Sequence, residues 1–113
     1  MITVVEPKSF VDRAQNLLSN TQRMATIDFI AMNPEAGNIM KGTGGVRKIR
    51  IPLQGQGKRG GARVVYYYHN KGTPVFLLYL FAKNERDNLS KAEQNDLRET
   101  VKVLVSRYLE YNQ

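Results

Sequence analysis

The stretch ARVVYYYHNKGTPVFLLYLFAK, residues Ala62 to Lys83, decides the fold. Ala62 to His69 and Val75 to Lys83 are rich in β-branched and aromatic residues and read as two strands. Asn70-Lys71-Gly72-Thr73 supplies the turn between them, so the pair forms an antiparallel hairpin. The second run is apolar on nearly every position, which places it centrally in a sheet with both faces covered. Alternation buries at least one of Tyr66, Tyr67 and Tyr68, and Tyr79 belongs to the core by its apolar neighbours.

Upstream, Val46 to Ile51 is a third strand. Val46, Lys48 and Arg50 point one way, and Arg47, Ile49 and Ile51 the other. Pro52 marks an edge position or the strand's end. Residues 53 to 61, LQGQGKRGG, form a glycine-rich basic loop, and Gly37 to Gly45 another.

Further upstream, Ile2 to Val5 reads as a short strand. Ser9 with Asp12 and Ser19 with Gln22 resemble capping boxes that start two helices. Phe10, Ala14, Leu17 and Leu18 line the first helix, and Met24, Ile27, Ile30 and Ala31 the second. Asn33-Pro34 ends this helical hairpin, because proline cannot continue a helix. Downstream, Ser90 with Glu93 caps a last helix, with Leu97, Val101, Leu104, Val105, Tyr108 and Leu109 on one face. The order is β-α-α-β-β-β-α. It predicts one α+β domain over residues 1–113, with a mostly antiparallel sheet of about four strands. The helices are expected on one face, leaving the other open to a ligand.

The bulk composition fits that reading. The chain has 113 residues, 42% hydrophobic and 24% charged, enough for one core without staples. It has no cysteine, which excludes disulfides and thiolate metal sites. No apolar run approaches a membrane span, and the N-terminus lacks the pattern of a secretory signal, so a cytoplasmic protein is expected.

The formal charge is +7, and its placement is more telling than its size. Ala36 to Asn84 contains no Asp or Glu but carries nine cations: Lys41, Arg47, Lys48, Arg50, Lys58, Arg59, Arg63, Lys71 and Lys83. All nine glycines lie there as well. Solubility does not require excluding every acid from such a stretch, whereas a one-sided field attracts polyanions. Lys48 and Arg50 share a strand face, Arg63 opens the next strand and Lys83 ends the one after. Neighbouring strands would gather these four cations, with Lys58 and Arg59 reaching over from the loop. Tyrosines nearby add rings for stacked bases, a pattern suited to single-stranded RNA.

Other chemistry is poorly represented. GTGG lacks the Walker spacing, and GQGKRGG is not GxGxxG. His69 is the only histidine and sits at a turn, so it reads as a surface residue and cannot make a metal site alone. Glu85 and Asp87 read as partners of Arg86 or as helix caps. Without paired acids a two-metal nuclease is disfavoured, and no serine has a histidine–acid pair. Lys41 and Lys71 read as solvated loop charges. An enzyme acting on RNA here would use no metal or cofactor. Attack by the 2′-hydroxyl on phosphorus needs a base, a donor for the 5′-oxygen and positive charge around the phosphorane. A lysine crowded by cations gives up its proton more readily, and arginine clamps phosphoryl oxygens.

Three segments together carry a family resemblance: Gly42-Thr43-Gly44-Gly45-Val46-Arg47-Lys48-Ile49-Arg50, Gly57-Lys58-Arg59-Gly60-Gly61-Ala62-Arg63-Val64-Val65-Tyr66-Tyr67 and Leu80-Phe81-Ala82-Lys83-Asn84-Glu85. The chain resembles the RelE/HigB superfamily of type II toxin–antitoxin toxins, most of all its HigB-like branch. The resemblance implies a RelE-like fold and a metal-independent endoribonuclease that cuts translated mRNA in the ribosomal A site. It implies as partners mRNA, the 70S ribosome and an antitoxin, often one with a helix-turn-helix domain. Carried over by position, Lys48, Arg50, Arg63 and Lys83 become the catalytic set. Lys48 or Lys83 serves as general base or acid, and Arg50 and Arg63 stabilise the phosphorane. Arg47, Lys58, Arg59, Tyr67 and Asn84 become RNA or ribosome contacts. The chain departs from the RelE pattern in having Asn84 where an arginine is often found, and in lacking a tyrosine between Asn88 and Ala92. A non-catalytic RNA- or DNA-binding regulator on the same scaffold is the alternative reading.

Overall fold

The computed structural model describes residues 2–53, 61–85 and 88–111, with side chains described as far as residue 108. The elements run β1 (Val4–Val5), α1 (Lys8–Leu17), α2 (Asn20–Met32), β2 (Asn38–Ile39), β3 (Arg47–Ile51), β4 (Ala62–Tyr67), β5 (Val75–Ala82) and α3 (Lys91–Tyr111). The fold is α+β, with a five-stranded sheet in the order β1-β5-β4-β3-β2. Only the β1–β5 pair is parallel. The additional strand, β2, lies in the stretch expected to be loop and pairs with Arg47 and Lys48 of β3.

One expectation needs correction. The helices do not all share one face of the sheet. Phe10, Ala14, Leu18 and Ile30 of the helical hairpin pack on Ile51, Val64, Tyr66, Leu77 and Leu80. Leu97 and Val101 of α3 pack on Val65, Tyr67, Phe76 and Phe81 on the opposite side. The reason lies in β4 and β5, which are apolar on both faces and need two covers.

The two faces of β5 depend on a bulge. Val65 pairs with Tyr79, but Tyr66 pairs with Leu77, so β5 carries one extra residue at Leu78. Without it, Phe76 and Phe81, an odd number of positions apart, would face opposite ways. With it, both join the α3 side, and Val75, Leu77, Leu80 and Ala82 join the other.

The capping residues behave unevenly. Ser19 with Gln22 and Ser90 with Glu93 each form a reciprocal capping box. Ser9 does not, because α1 starts earlier, at Lys8 after Pro7, with no side-chain cap. Asp12 instead pairs with Lys8 one turn before it. On α2, Ile30 and Ala31 are buried, but Met24 is 63% exposed and lies off the stripe.

The connection from α2 to β2 is held by two side chains. Tyr66 Oη accepts from Gly37 N–H at 2.8 Å and donates to Pro34 O at 3.0 Å. Arg47 Nη1 donates to Glu35 O and Gly37 O at 3.0 and 2.9 Å. A β-carbon on Gly37 would lie 2.7 Å from Tyr66 Oη, so only glycine lets the loop come this close. At the other end of β4, Gly61 has φ +98° and a β-carbon there would meet Ile51 O at 2.8 Å.

Candidate nucleic-acid interface

The pleat of β3 sorts its cations. Lys48 and Arg50 project to the α3 side, and Arg47 to the side of the helical hairpin. Across the ladder, Lys48 pairs with Val65 and Arg50 with Arg63, and Arg63 in turn pairs with Phe81 of β5. Two arginines directly opposite in an antiparallel pair have β-carbons roughly 5 Å apart, an arrangement that by itself destabilises a sheet.

Arg63 is 8% exposed, and its Nη1 donates to Ala62 O at 3.4 Å. Arg50 is exposed and Lys48 half-buried. Lys83 follows the last residue of β5, and its N–H extends the ladder by donating to Gly61 O at 3.0 Å. It therefore stands on the same face as Phe81 and diagonal to Arg63. The four residues expected to form the catalytic set thus share one face at one end of the β3–β4–β5 ribbon.

The accessory residues divide. Asn84 is exposed in the turn just after Lys83. Lys58 and Arg59 lie outside the described residues. Arg47 is on the other face, its guanidinium engaged by the carbonyls of Glu35 and Gly37, so it stands apart from the cluster. Tyr67 shares the cluster's face but is 8% exposed beneath α3, so it offers no surface for base stacking. Its hydroxyl meets His69 Nδ1 at 3.2 Å, and the two rings stack at 6.2 Å. His69 itself is exposed. Burial pushes the phenol of Tyr67 above its usual range. It does the same to Tyr66, against a smaller downward pull from the Gly37 N–H and Arg47.

Arg86, the partner expected for Glu85, and Asp87 lie outside the described residues. Glu85 pairs with Arg13 of α1 and also accepts from Ala82 N–H at 3.0 Å. This ties the turn after β5 to α1 and sets where Lys83 and Asn84 stand. The reach from residue 13 to residue 85 leaves no local sequence signal.

The start of α3 comes beside Lys48. Asn38, Ile39, Met40, Lys41, Gly42 and Lys48 face Asn88, Lys91 and Gln94 across a groove of about 470 Å³. No local signal singles out Lys91, because its place beside Lys48 comes from the packing of α3.

Fold and cluster together define a small α+β protein with one cationic face. The family model described as the RelE toxin of the RelE/RelB toxin–antitoxin system matches residues 10–111. The chain belongs to that family. It is accordingly the toxin of a toxin–antitoxin pair, and its partner is an antitoxin. Among the described residues no helix is long and apolar enough to cross a membrane.

Proposed function

We propose that this toxin is a ribosome-dependent endoribonuclease that cleaves translated mRNA in the ribosomal A site and so arrests translation in the cytoplasm. The observation that carries the reading is the Arg50–Arg63 pair, flanked by Lys48 and Lys83 on the same face. Two arginines paired across the ladder could bring both guanidiniums to the non-bridging oxygens of one phosphorane.

In the reaction, a base removes the 2′-hydroxyl proton and the 2′-oxygen attacks the adjacent phosphorus. The bond from phosphorus to the 5′-oxygen breaks, and an acid protonates that oxygen. The products are a 2′,3′-cyclic phosphate and a free 5′-hydroxyl. Lys48 and Lys83 are the candidates for base and acid, and the reaction so composed needs no metal. Asn84, Lys58 and Arg59 would hold RNA or ribosome. The ribosome would place the strand in line, a contribution that this small domain cannot make alone. The partner antitoxin, of the helix-turn-helix kind if the chain belongs to the HigB-like branch, would silence the toxin by covering this face or by keeping it off the ribosome.

The test is induction of the chain alone in a bacterial cell, beside an Arg63→Ala variant, with transcriptome-wide mapping of mRNA 5′ ends. New ends within reading frames, in register with codons and absent in the variant, are expected. Normal growth with no new ends would favour a non-catalytic nucleic-acid binder.

A further inference from the structure

The groove between β2 and α3 lies outside the set assigned to chemistry, yet it continues from it. Lys48 is shared: it belongs to the cationic face and also lines the groove. From Arg50 to Lys48 the strand advances about 7 Å. Beyond Lys48, toward β2, stand Lys41 from the β2–β3 connection and Lys91, the first residue of α3. Both are exposed. The remaining polar lining is made of amides, Asn38, Asn88 and Gln94, and no carboxylate lines the groove among the described residues.

The hydrogen bonds already made restrict what these groups can offer. Asn88 Oδ1 accepts from Leu89 N–H at 2.9 Å, which leaves its NH₂ group able to donate. Ser90 Oγ accepts from Glu93 N–H and so fixes the amino end of α3, the positive end of its dipole, beside the groove. Three lysines and several donors converge on one trough, a lining suited to an anion of more than one charge.

We propose that this groove holds the phosphate backbone of the substrate RNA strand, next to the phosphate cleaved at Arg50 and Arg63. Lys41 and Lys91 are its positioning residues. The proposal rests on the nuclease reading above and adds to it the course of the strand: across β3 from Arg50 to Lys48, then between β2 and the amino end of α3. Holding the neighbouring phosphate fixes the strand along its axis, which is what alignment of the 2′-oxygen with the leaving 5′-oxygen requires.

The experiment measures binding of a fluorescent seven-nucleotide 2′-O-methyl RNA, which cannot be cleaved, across a salt series. The unaltered chain is compared with the double variant Lys41→Gln, Lys91→Gln. A second double variant, Lys71→Gln with Lys102→Gln, removes the same charge from exposed sites away from the groove. The groove variant is expected to bind about tenfold more weakly, and its slope of log affinity against log salt to fall by about 1.4, the value for two lost phosphate contacts on a single strand. The control variant should keep the slope of the unaltered chain. Equal weakening and equal slopes in the two variants would overturn the groove assignment while leaving the nuclease reading in place. A deficit seen only on ribosomes, with oligonucleotide binding intact, would assign the groove to ribosomal RNA and overturn it too. No binding by the unaltered chain to either RNA or ribosomes would remove the nuclease reading, and the groove with it.

Discussion

Arg47 and Lys48 are neighbours in β3 and stand on opposite faces of the sheet. Arg47 points to the helical hairpin, where it holds the carbonyls of Glu35 and Gly37. Lys48 points to the cationic face beside α3. The two positions should therefore fail differently. Arg47→Ala removes two charge-assisted hydrogen bonds and is expected to cost about 1.5–3 kcal/mol of stability. Lys48→Ala should change stability by less than about 0.5 kcal/mol, yet reduce cleavage about 100-fold or more. Urea denaturation and growth-arrest assays on both variants separate the effects. A Lys48→Ala protein with full toxicity would remove Lys48 from the chemistry.

The Arg50–Arg63 pair makes a sharper prediction about geometry. Arg63→Lys keeps the charge but loses the planar fork that matches two phosphoryl oxygens. It should retain most RNA affinity while losing cleavage, about 100-fold or more. Arg50→Lys should behave alike, since the two stand opposite each other. Parallel binding and 5′-end mapping would show it. A variant pair that kept both binding and cleavage would point to simple charge attraction.

Gly37 is a packing constraint on the loop from α2 to β2. In Gly37→Ala the new β-carbon would press on Tyr66 Oη, 2.7 Å away, and break the bond from Gly37 N–H. A loss of about 1–3 kcal/mol is expected, as for other disrupted buried hydrogen bonds. Thermal melting measures it. Removing the hydroxyl at the same time, as Tyr66→Phe, should relieve part of the clash, so the double variant should be less unstable than the two losses added together.

Tyr66 and Tyr67 are buried and their phenols are shifted upward, chiefly by desolvation. In the unfolded chain they ionise near 10, and in the folded chain only above that. Below about 10 both states keep the proton and the stabilisation is complete. As pH rises past the unfolded value, the unfolded state loses protons that the folded state retains. Stability therefore falls from about pH 10 until the raised folded pKa is passed. Denaturation at pH 8 and pH 11 should show a lower midpoint at the higher pH. Tyr66→Phe should flatten that dependence.

Much of this protein was legible along the chain. The hairpin of β4 and β5, the capping boxes at Ser19 and Ser90 and the helix end at Asn33 follow from local rules, because strand propensity, caps and proline act over a few residues. Alternation in β3 was enough to put Lys48 and Arg50 on one face, since a strand's period is two. The segment free of acids, Ala36 to Asn84, supplies all four cations of the proposed catalytic set. These readings hold whatever packs around them.

Tertiary structure decided the rest, and each case involves a partner distant in sequence. The bulge at Leu78 redistributed β5, and no alternation rule predicts which residue is extra. The fully apolar β4 and β5 drew α3 onto the second face, which buried Tyr67 and left only one end of that face for cations. Arg47 was claimed by Glu35 and Gly37, and Glu85 by Arg13. Packing also set the amino end of α3 against Lys48, bringing Lys91 to a groove with Lys41. Local propensity determines which elements form, whereas burial of two apolar faces determines which charges remain together at the surface.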